Sequence, residues 1–374
     1  MTPKSFLTLL VLTITITAAA FWVTISSDSG TGIRGDGRIL FPDLATQVND
    51  VRRIKITRAS GTSTLVATTT KDGKVNWALK ELYNYPAPLV SVRAVAAGMA
   101  SIAVIEAKTN RAAKYLKIRV EDPAKHTGKK NSHASRIELF NAKDEKISDL
   151  IVGLEKPTLS GTGQLFVRKP GDDRAWLARG KVFIPEKREG WVNQMIVEVD
   201  LPRVRETILT IPGEKPLRIF KKAENDQDFT LEGMAKTREL KELFGAEDIA
   251  RAIQNLAFVE VRPQSELKFD FSQAPRTRYV TYDGLIIENW AATAGKKHWV
   301  TFRARANPNP EKGDKVDTAK RDKEILKINT VTKGWAYTIN PFETKNLLKT
   351  MKSMTQPKPG STPASTPATG PAKK

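Results

Sequence analysis

The chain has 374 residues, 40% of them hydrophobic, so it can bury two ordinary cores and lacks the composition of a wholly disordered protein. Lys and Arg total 61 against 41 for Asp and Glu, and this formal charge of +20 favours contact with anionic surfaces. The sequence contains no Cys, which excludes disulfides, thiol nucleophiles and a lipid anchor on cysteine.

An apolar segment near the N-terminus predicts export. The stretch FLTLLVLTITITAAAFWVTI, Phe6 to Ile25, holds about 20 uncharged residues, enough for a helix to span a bilayer. Lys4 precedes it and the nearest charges after it cancel, which favours a cytoplasmic N-terminus and a periplasmic body. We interpret residues 1–26 as a single inner-membrane anchor, because the apolar run continues through Trp22. The alternative is a signal peptide cleaved after Ala18-Ala19-Ala20.

Residues 27–48 are interpreted as a flexible juxtamembrane linker. Within them SGTGIRGDG, Ser29 to Gly37, matches the pattern of a dinucleotide-binding loop. That loop works only between a strand and a helix, whereas here an apolar segment precedes it and Pro42 follows. The pattern therefore predicts a spacer and no cofactor.

Residues 49–200 form the first predicted unit. VRRIKITR (Val51–Arg58) and STLVATTT (Ser63–Thr70) alternate as strands do, and Asp72-Gly73 turns the chain into VNWAL. Apolar positions after Pro88 follow helical periodicity, with Pro88 near the helix start. Strands RIELF, ISDLIVG, QLFVRKP and RAWLA follow, and turn residues at Lys169–Asp173 predict a hairpin.

The same order recurs in residues 201–306, which predicts a second unit. VRETILTIP resembles VRRIKITRA, Phe229 stands where Trp77 stood, and GAEDIARAIQNLAF is the next helix. RTRYVTY, GLIIENW and HWVTFRA then correspond to RIELF, ISDLIVG and QLFVRKP. The predicted fold class is α+β, with tandem β-β-α-β-β-type units whose antiparallel sheets are each covered by a helix, after one N-terminal transmembrane helix.

Three C-terminal segments complete the predicted organisation. Residues 307–323 are a polar linker, and residues 324–354 are a partial third unit in which Tyr337 repeats the aromatic strand position of Trp77 and Phe229. Asn340, Pro341 and Glu343 predict a helix start with a capping box. Residues 355–374, rich in Pro, Ser, Thr, Ala and Lys, predict a disordered tail. The three aromatic residues are predicted to be core.

No candidate catalytic or metal set is convincing in the sequence. His126 and His133 flank Lys129-Lys130, and ammonium groups make a poor cation site. The acidic pairs Glu121-Asp122 and Asp172-Asp173 lie in a strand or a turn, where neighbouring carboxylates diverge or are solvated. His298 is interpreted as a cross-strand residue, and Ser160–Gly163 lacks the following helix that a phosphate site needs. We therefore predict no catalytic, cofactor-binding or metal-ligating residue, and the ligand-binding residues stay unassigned.

Several of these segments together resemble a known family. The order WAL, NYP, an amphipathic helix, RVEDP, DLIVG, LFVRKPGDDRAWLARG and GWVNQMIVEVD is similar to that of the bacterial domain-of-unknown-function 4340 family, over roughly Phe41 to Ala306. The resemblance implies a single-span envelope protein associated with gliding-type ABC transport systems. It implies no catalytic residue.

The resulting hypothesis is a non-enzymatic, membrane-anchored periplasmic accessory protein that binds envelope components, including ABC transporter subunits. Binding of anionic lipid or polysaccharide through the basic body is the alternative, and an envelope-polymer hydrolase is disfavoured because no carboxylate cleft is visible. Nucleic acid is not an expected partner, because the basic pairs are scattered and lack a recognition motif. These pairs are Arg52-Arg53, Lys129-Lys130, Lys187-Arg188, Lys221-Lys222, Lys296-Lys297 and Arg303/Arg305.

Overall fold

The computed structural model describes residues 37–128, 131–157, 163–268, 270–311 and 316–359. The predicted membrane segment Phe6–Ile25, most of the glycine-rich spacer, the stretch Ser160–Thr162 and the last 15 residues of the predicted tail lie outside the described residues. Within the described ranges, no helix has the length and apolar character needed to cross a membrane. The chain divides into two compact units, with the boundary between Val192 and Asn193.

In its described residues, the first unit contains a nine-stranded antiparallel sheet and three α-helices. The strands are β1 (Arg53–Arg58), β2 (Gly61–Thr69), β3 (Val75–Leu79), β4 (Tyr85–Ala87), β5 (Ala103–Ala107), β6 (Ser135–Phe140), β7 (Lys146–Lys156), β8 (Gln164–Arg168) and β9 (Ala175–Arg179). The helices are α1 (Leu44–Gln47), α2 (Leu89–Ala100) and α3 (Tyr115–Ile118). The spatial order of the strands is β4-β3-β2-β1-β6-β7-β8-β9-β5. Because α2 connects β4 to β5, the chain crosses through this helix from one edge of the sheet to the other.

The second unit contains another nine-stranded sheet and a two-stranded ribbon. The strands are β10 (Met195–Val197), β11 (Val204–Thr210), β12 (Leu217–Phe220), β13 (Thr230–Leu231), β14 (Arg238–Leu240), β15 (Leu256–Pro263), β16 (Arg276–Thr281), β17 (Leu285–Ala294), β18 (Lys297–Ala306), β19 (Trp335–Ile339) and β20 (Thr355–Pro357). The helices are α4 (Gly245–Arg251), α5 (Thr318–Thr332), α6 (Pro341–Asn346) and α7 (Met351–Met354). The sheet order is β10-β15-β19-β18-β17-β16-β11-β12-β13, and β14 pairs with β20.

The two sheets repeat the same topology. If the short strands β4 and β10 are left out and the second order is read from its other end, the strands of the two sheets correspond one to one. The pairs are β3/β13, β2/β12, β1/β11, β6/β16, β7/β17, β8/β18, β9/β19 and β5/β15. The register agrees at the centre of the sheets, where Ile54 faces Leu139 in the first as Thr207 faces Tyr279 in the second. The repeat read from the sequence is therefore present in the strand order of the structure.

The segment assigned to a partial third unit belongs instead to the second sheet. Strand β19 pairs with β15 and β18 and occupies the place of β9, so Tyr337 corresponds to Trp176 and not to Trp77. The short turn between β8 and β9 is replaced here by a long connection that contains α5. This insertion separates β19 from its partners along the chain, and the strand consequently looks detached in the sequence.

Other predicted boundaries also shift. Helix α5 begins inside the predicted linker, where the Asp317 side chain caps it by accepting a hydrogen bond from the Lys320 N–H at 3.0 Å. Thr355–Pro357 of the predicted disordered tail forms strand β20, because β14 offers it backbone partners. At α6 the Asn340 side chain caps the helix, as predicted, by accepting from the Phe342 N–H, but Glu343 hydrogen-bonds Asn346 and does not complete the predicted capping box.

The predicted aromatic residues lie in the cores. Trp77, Phe229 and Tyr337 are all at least nine-tenths buried. Of the apolar face predicted for α2, Val92, Val95, Ala96, Met99 and Ile102 are buried, whereas Leu89 in the first turn is exposed. Gly98 lets α2 approach the chain at Lys181, because a Cβ atom there would lie 2.6 Å from the Lys181 carbonyl oxygen.

The centre of the second core is more polar than that of the first. Thr207, Tyr279 and Asn289 occupy the positions of Ile54, Leu139 and Leu150, and all three side chains are at least 99% buried. Within the described residues, the Thr207 and Tyr279 hydroxyls and both amide atoms of Asn289 have no partner with hydrogen-bond geometry. The fold does not require these polar groups, since the first unit has the same topology with aliphatic residues.

Candidate functional site

The acidic and histidine candidates near residue 121 have structural roles. Glu121 is buried, and its Oε1 accepts a hydrogen bond from the Ser132 hydroxyl at 2.7 Å. Asp122 caps the 3-10 turn Pro123–His126 by accepting from the Ala124 N–H at 3.1 Å. Lys129-Lys130, which His126 and His133 flank, lie outside the described residues.

The other sequence candidates are also engaged in local structure. Asp172 and Asp173 form the β8–β9 turn, and their backbone carbonyls accept hydrogen bonds from Arg168 Nη1 at 2.9 Å and from the Tyr115 hydroxyl at 2.5 Å. His298 faces Thr293 across β17 and β18, with Nδ1 2.9 Å from the Thr293 hydroxyl, as its cross-strand interpretation predicts. Across the described ranges, no three His, Asp or Glu side chains are grouped so that they could hold a metal ion.

A groove in the second unit is the strongest candidate site. Its volume is about 650 Å³, within the range typical of ligand pockets. Its walls come from the segment before α4, from β15, from the β17–β18 hairpin tip and from the chain between β19 and α7. Five of its lining residues are lysines, and we call the site the basic groove: Lys241, Lys296, Lys297, Lys345 and Lys349.

The floor of the basic groove is apolar. Val259 lies where β15 shifts register against β19, between Phe258 and Glu260, and its side chain is 53% exposed. Ile339, at the end of β19, and Met354, at the end of α7, also line the groove and are buried. The neighbouring Leu348 completes an aliphatic surface beneath the ammonium groups.

Acidic residues neutralise only part of this positive charge. Glu260 pairs with Lys297, and Glu242 Oε2 accepts from Lys349 Nζ at 3.1 Å. The Lys349 hydrogen bond, together with the nearby charges of Lys345 and Lys241, lowers the pKa of Glu242. No hydrogen bond or ion pair joins Lys296 or Lys345 to another described side chain, so five lysines against two glutamates leave the groove positive.

Large apolar side chains are exposed beside the groove. Leu243 and Phe244 follow the lining residues Lys241 and Glu242 and are 81% and 63% exposed, and Phe342 next to Pro341 is 55% exposed. We call Leu243, Phe244 and Phe342 the apolar rim. Contiguous exposed apolar surface marks interaction sites more often than isolated apolar residues do, and each of these three residues lies within two positions of a groove-lining residue in the chain.

The groove is suited to recognition. Its hydroxyl and imidazole groups are already engaged, because Ser353 Oγ joins the capping box of α7 with Thr350 and His298 pairs with Thr293. What remains available is ammonium charge above an aliphatic floor. This combination binds ligands that carry both negative charge and apolar surface.

Sequence reasoning did not assemble this site. Lys296-Lys297 was noted only as one of several scattered basic pairs, and the other lysines lie up to 108 positions from Lys241 along the chain. One local signal was present, because KELFG places a charged pair directly before Leu243 and Phe244.

Comparison with known proteins gave one relationship. The family described as Domain of unknown function (DUF4340) matches residues 77–272, just over half of the chain, from β3 of the first unit to the chain before β16 of the second. No curated protein and no solved structure matches this chain. The matched residues lie within the range, roughly Phe41 to Ala306, over which the sequence resembles this family, and the chain belongs to the DUF4340 family.

Proposed function

We propose that this protein is a non-enzymatic, membrane-anchored accessory protein of the cell envelope, and that its second unit docks on anionic phospholipid. The observation that carries the proposal is the juxtaposition of the basic groove with the apolar rim. Peripheral membrane proteins combine apolar side chains, which enter the headgroup region, with Lys residues that attract anionic lipids.

The magnitudes favour a membrane surface. Each Lys held near an anionic bilayer contributes about 1 kcal/mol of attraction, and burial of Leu243 and Phe244 adds apolar transfer energy. An N-terminal anchor, as the apolar stretch Phe6–Ile25 predicts, raises the effective concentration of the groove at the bilayer, so modest intrinsic affinity suffices. An acidic protein segment is the competing ligand, since it also offers negative charge.

Vesicle co-sedimentation tests the proposal. A chain beginning at residue 37, which avoids the apolar segment, should sediment with vesicles of 25% phosphatidylglycerol in phosphatidylcholine and not with phosphatidylcholine alone. Raising the salt should release it, because screening weakens the attraction. Lys296→Glu with Lys345→Glu, and separately Leu243→Ser with Phe244→Ser, should each reduce binding.

A matched control separates the groove from general basicity. Lys71→Glu with Lys74→Glu makes the same charge change on the exposed β2–β3 turn of the first unit and should leave vesicle binding nearly unchanged. If Lys71→Glu with Lys74→Glu reduces vesicle binding as much as Lys296→Glu with Lys345→Glu does, the groove is not the docking site. Absence of vesicle binding, with retention of an acidic peptide by the groove, would favour a protein partner instead.

The resemblance noted in the sequence implies a second, compatible role, which we also propose, as an auxiliary or adaptor component of an ABC-type envelope transport complex. Chemical cross-linking in intact cells, followed by purification of the full chain, tests it. Recovery of transporter subunits that persists in the groove mutants would assign the adaptor contact to another surface. Failure to recover any transporter subunit would count against this role and would leave the docking proposal unaffected.

A further inference from the structure

A second cavity in the second unit lies away from the residues of the basic groove. Its volume is about 620 Å³. Strands β17 and β18 contribute the cross-strand pair Trp290 and Thr301, and β18 also contributes Arg303. The remaining walls are the segment between β15 and β16 and the C-terminal end of α5, and we call the site the aromatic cavity. Its other side-chain contributors include Gln264, Phe271, Asn329, Thr332 and Lys333.

The walls of this cavity are fixed by specific contacts. The Gln264 N–H donates to the Gly334 carbonyl oxygen at 2.8 Å, which ties the β15–β16 segment to the turn after α5. Asn329 donates from Nδ2 to the Ala304 carbonyl oxygen and accepts from the Ala304 N–H, both at 2.9 Å, so α5 is held along β18. The cavity is thus bounded by elements that are hydrogen-bonded to one another.

The available chemistry is aromatic and cationic. Trp290 is half-buried, and the guanidinium carbon of Arg276 lies 5.5 Å from its ring centroid. Arg303 and Lys333 are exposed, and neither forms an ion pair or a side-chain hydrogen bond with another residue that the structure describes. None of the described lining residues is acidic, and Glu288, which faces Arg303 across β17 and β18, is engaged by Arg276 and Arg305.

The first unit shows the same location filled by its own side chains. Arg168 occupies the position of Thr301, donates from Nε to the Val120 carbonyl oxygen at 2.8 Å and lies over the Tyr115 ring at 4.5 Å. Tyr115 belongs to a core cluster with Ile151, the residue at the position of Trp290. A space that one copy fills with Arg and Tyr is thus open in the other, where Arg303 and Lys333 border it.

We infer that the aromatic cavity binds an anionic saccharide. The indole of Trp290 offers a flat apolar surface for a sugar ring, and Arg303 and Lys333 offer charge-assisted hydrogen bonds to its carboxylates. The Gln264 amide and the Thr301 hydroxyl supply groups for ring hydroxyls. The volume lies in the range of small-molecule sites. The site is separate from the basic groove and does not depend on membrane docking.

Isothermal titration calorimetry of the full chain, in a detergent without a sugar headgroup, tests the inference. The probe is trigalacturonic acid and the neutral comparison is maltotriose. We expect binding of the acidic trisaccharide and at least about tenfold weaker binding of the neutral one, the loss typical of removing a charge-assisted hydrogen bond. Arg303→Gln should weaken binding of the acidic trisaccharide by a similar factor.

Two further variants make the result specific. Trp290→Leu keeps an apolar residue against the cluster of Trp299 and Phe271 but removes the surface on which a sugar ring would stack. It should therefore weaken the binding of both saccharides. Lys71→Glu, on the exposed β2–β3 turn of the first unit, should leave saccharide binding unchanged. The inference is overturned if the parent protein binds neither saccharide, if it binds both equally, or if Arg303→Gln binds like the parent. Arg303 is exposed, so this last variant decides the question even if Trp290→Leu does not fold.

Discussion

Trp77 and Phe229 occupy the same position in the two units. Each lies two residues before a buried leucine, Leu79 or Leu231, and these leucines face Leu65 and Ile219 in the adjacent strand. Both aromatic side chains are 6% exposed. Equivalent burial at an equivalent register indicates that each aromatic residue anchors the edge of its own core.

Truncation of either aromatic residue should therefore destabilise its unit. We expect Trp77→Ala and Phe229→Ala each to cost about 3 to 5 kcal/mol, because a large buried side chain is removed and a cavity remains. Differential scanning calorimetry of residues 37–359 should show that each substitution lowers mainly the transition of its own unit. Melting like that of the parent in both variants would contradict the assignment of these residues to the cores.

The polar centre of the second core predicts a stabilising substitution. Asn289→Leu, which introduces the residue of the equivalent position Leu150, should raise the unfolding free energy by about 1 to 3 kcal/mol, because two unsatisfied buried amide atoms disappear. Burial raises the pKa of the adjacent Tyr279 hydroxyl, and the charge of Glu343 raises it further, so the surroundings are strongly desolvating. The reciprocal change, Leu150→Asn, should destabilise the first unit. A loss of stability in Asn289→Leu would show that the amide is satisfied by bound water.

The surroundings of Glu343 predict that the stability gained by replacing this residue depends on pH. Burial raises the pKa of this carboxyl, and the charge of Asp248 raises it further, against a hydrogen bond from Asn346. Since the folded pKa lies above the unfolded value of about 4.3, the folded state binds the proton more tightly, and stability is lost as the pH rises through the folded pKa. Glu343→Gln should therefore raise the melting temperature at pH 7 and have little effect near pH 4.

Glu242 provides the matched control for this measurement. Its pKa is lowered by the hydrogen bond from Lys349, so its charged form is favoured in the folded state and Glu242→Gln should give no gain at pH 7. If Glu343→Gln shifts the melting temperature equally at both pH values, the effect comes from packing and the assignment of a raised pKa is wrong.

Membrane topology can be measured directly. A reporter that is active only outside the cytoplasm, fused after Lys374, should give signal, because Lys4 and the apolar segment Phe6–Ile25 predict an exported body. The protein should also stay in the membrane fraction after a carbonate wash. Release into the soluble periplasm would instead identify Ala20 as a cleavage site.

Much of the strand pattern was predictable because strand signals are local. Alternation in VRRIKITR, the turn residues between Lys169 and Asp173, and the correspondence of Phe229 with Trp77 all depend on neighbours within a few residues. The assignment of Tyr337 was wrong because the place of its strand depends on residues that are distant in the sequence. Its strand is separated from β18 by a connection containing α5, and only pairing with β15 and β18 shows that it completes the second sheet.

Neither proposed site could be predicted from the sequence, because each is assembled from distant segments. The basic groove joins Lys241, the β17–β18 tip and the α6–α7 region, and the aromatic cavity joins Gln264, Trp290 and the end of α5. Non-local contacts of this kind depend on strand order and on the length of connections, which the hydrophobic pattern does not encode.

The sequence by itself determined the positive charge, the apolar N-terminal segment, the repeated strand–helix–strand order and the absence of cysteine chemistry, because these are properties of composition and short-range periodicity. Tertiary structure alone decided that there are two sheets of matching topology, and that β19 lies between β15 and β18. It also decided which charges are neutralised. Lys297 and Lys349 meet glutamates, whereas Lys296 and Lys345 meet none in the part of the chain that the structure describes, because only folding sets the distances between side chains remote in sequence.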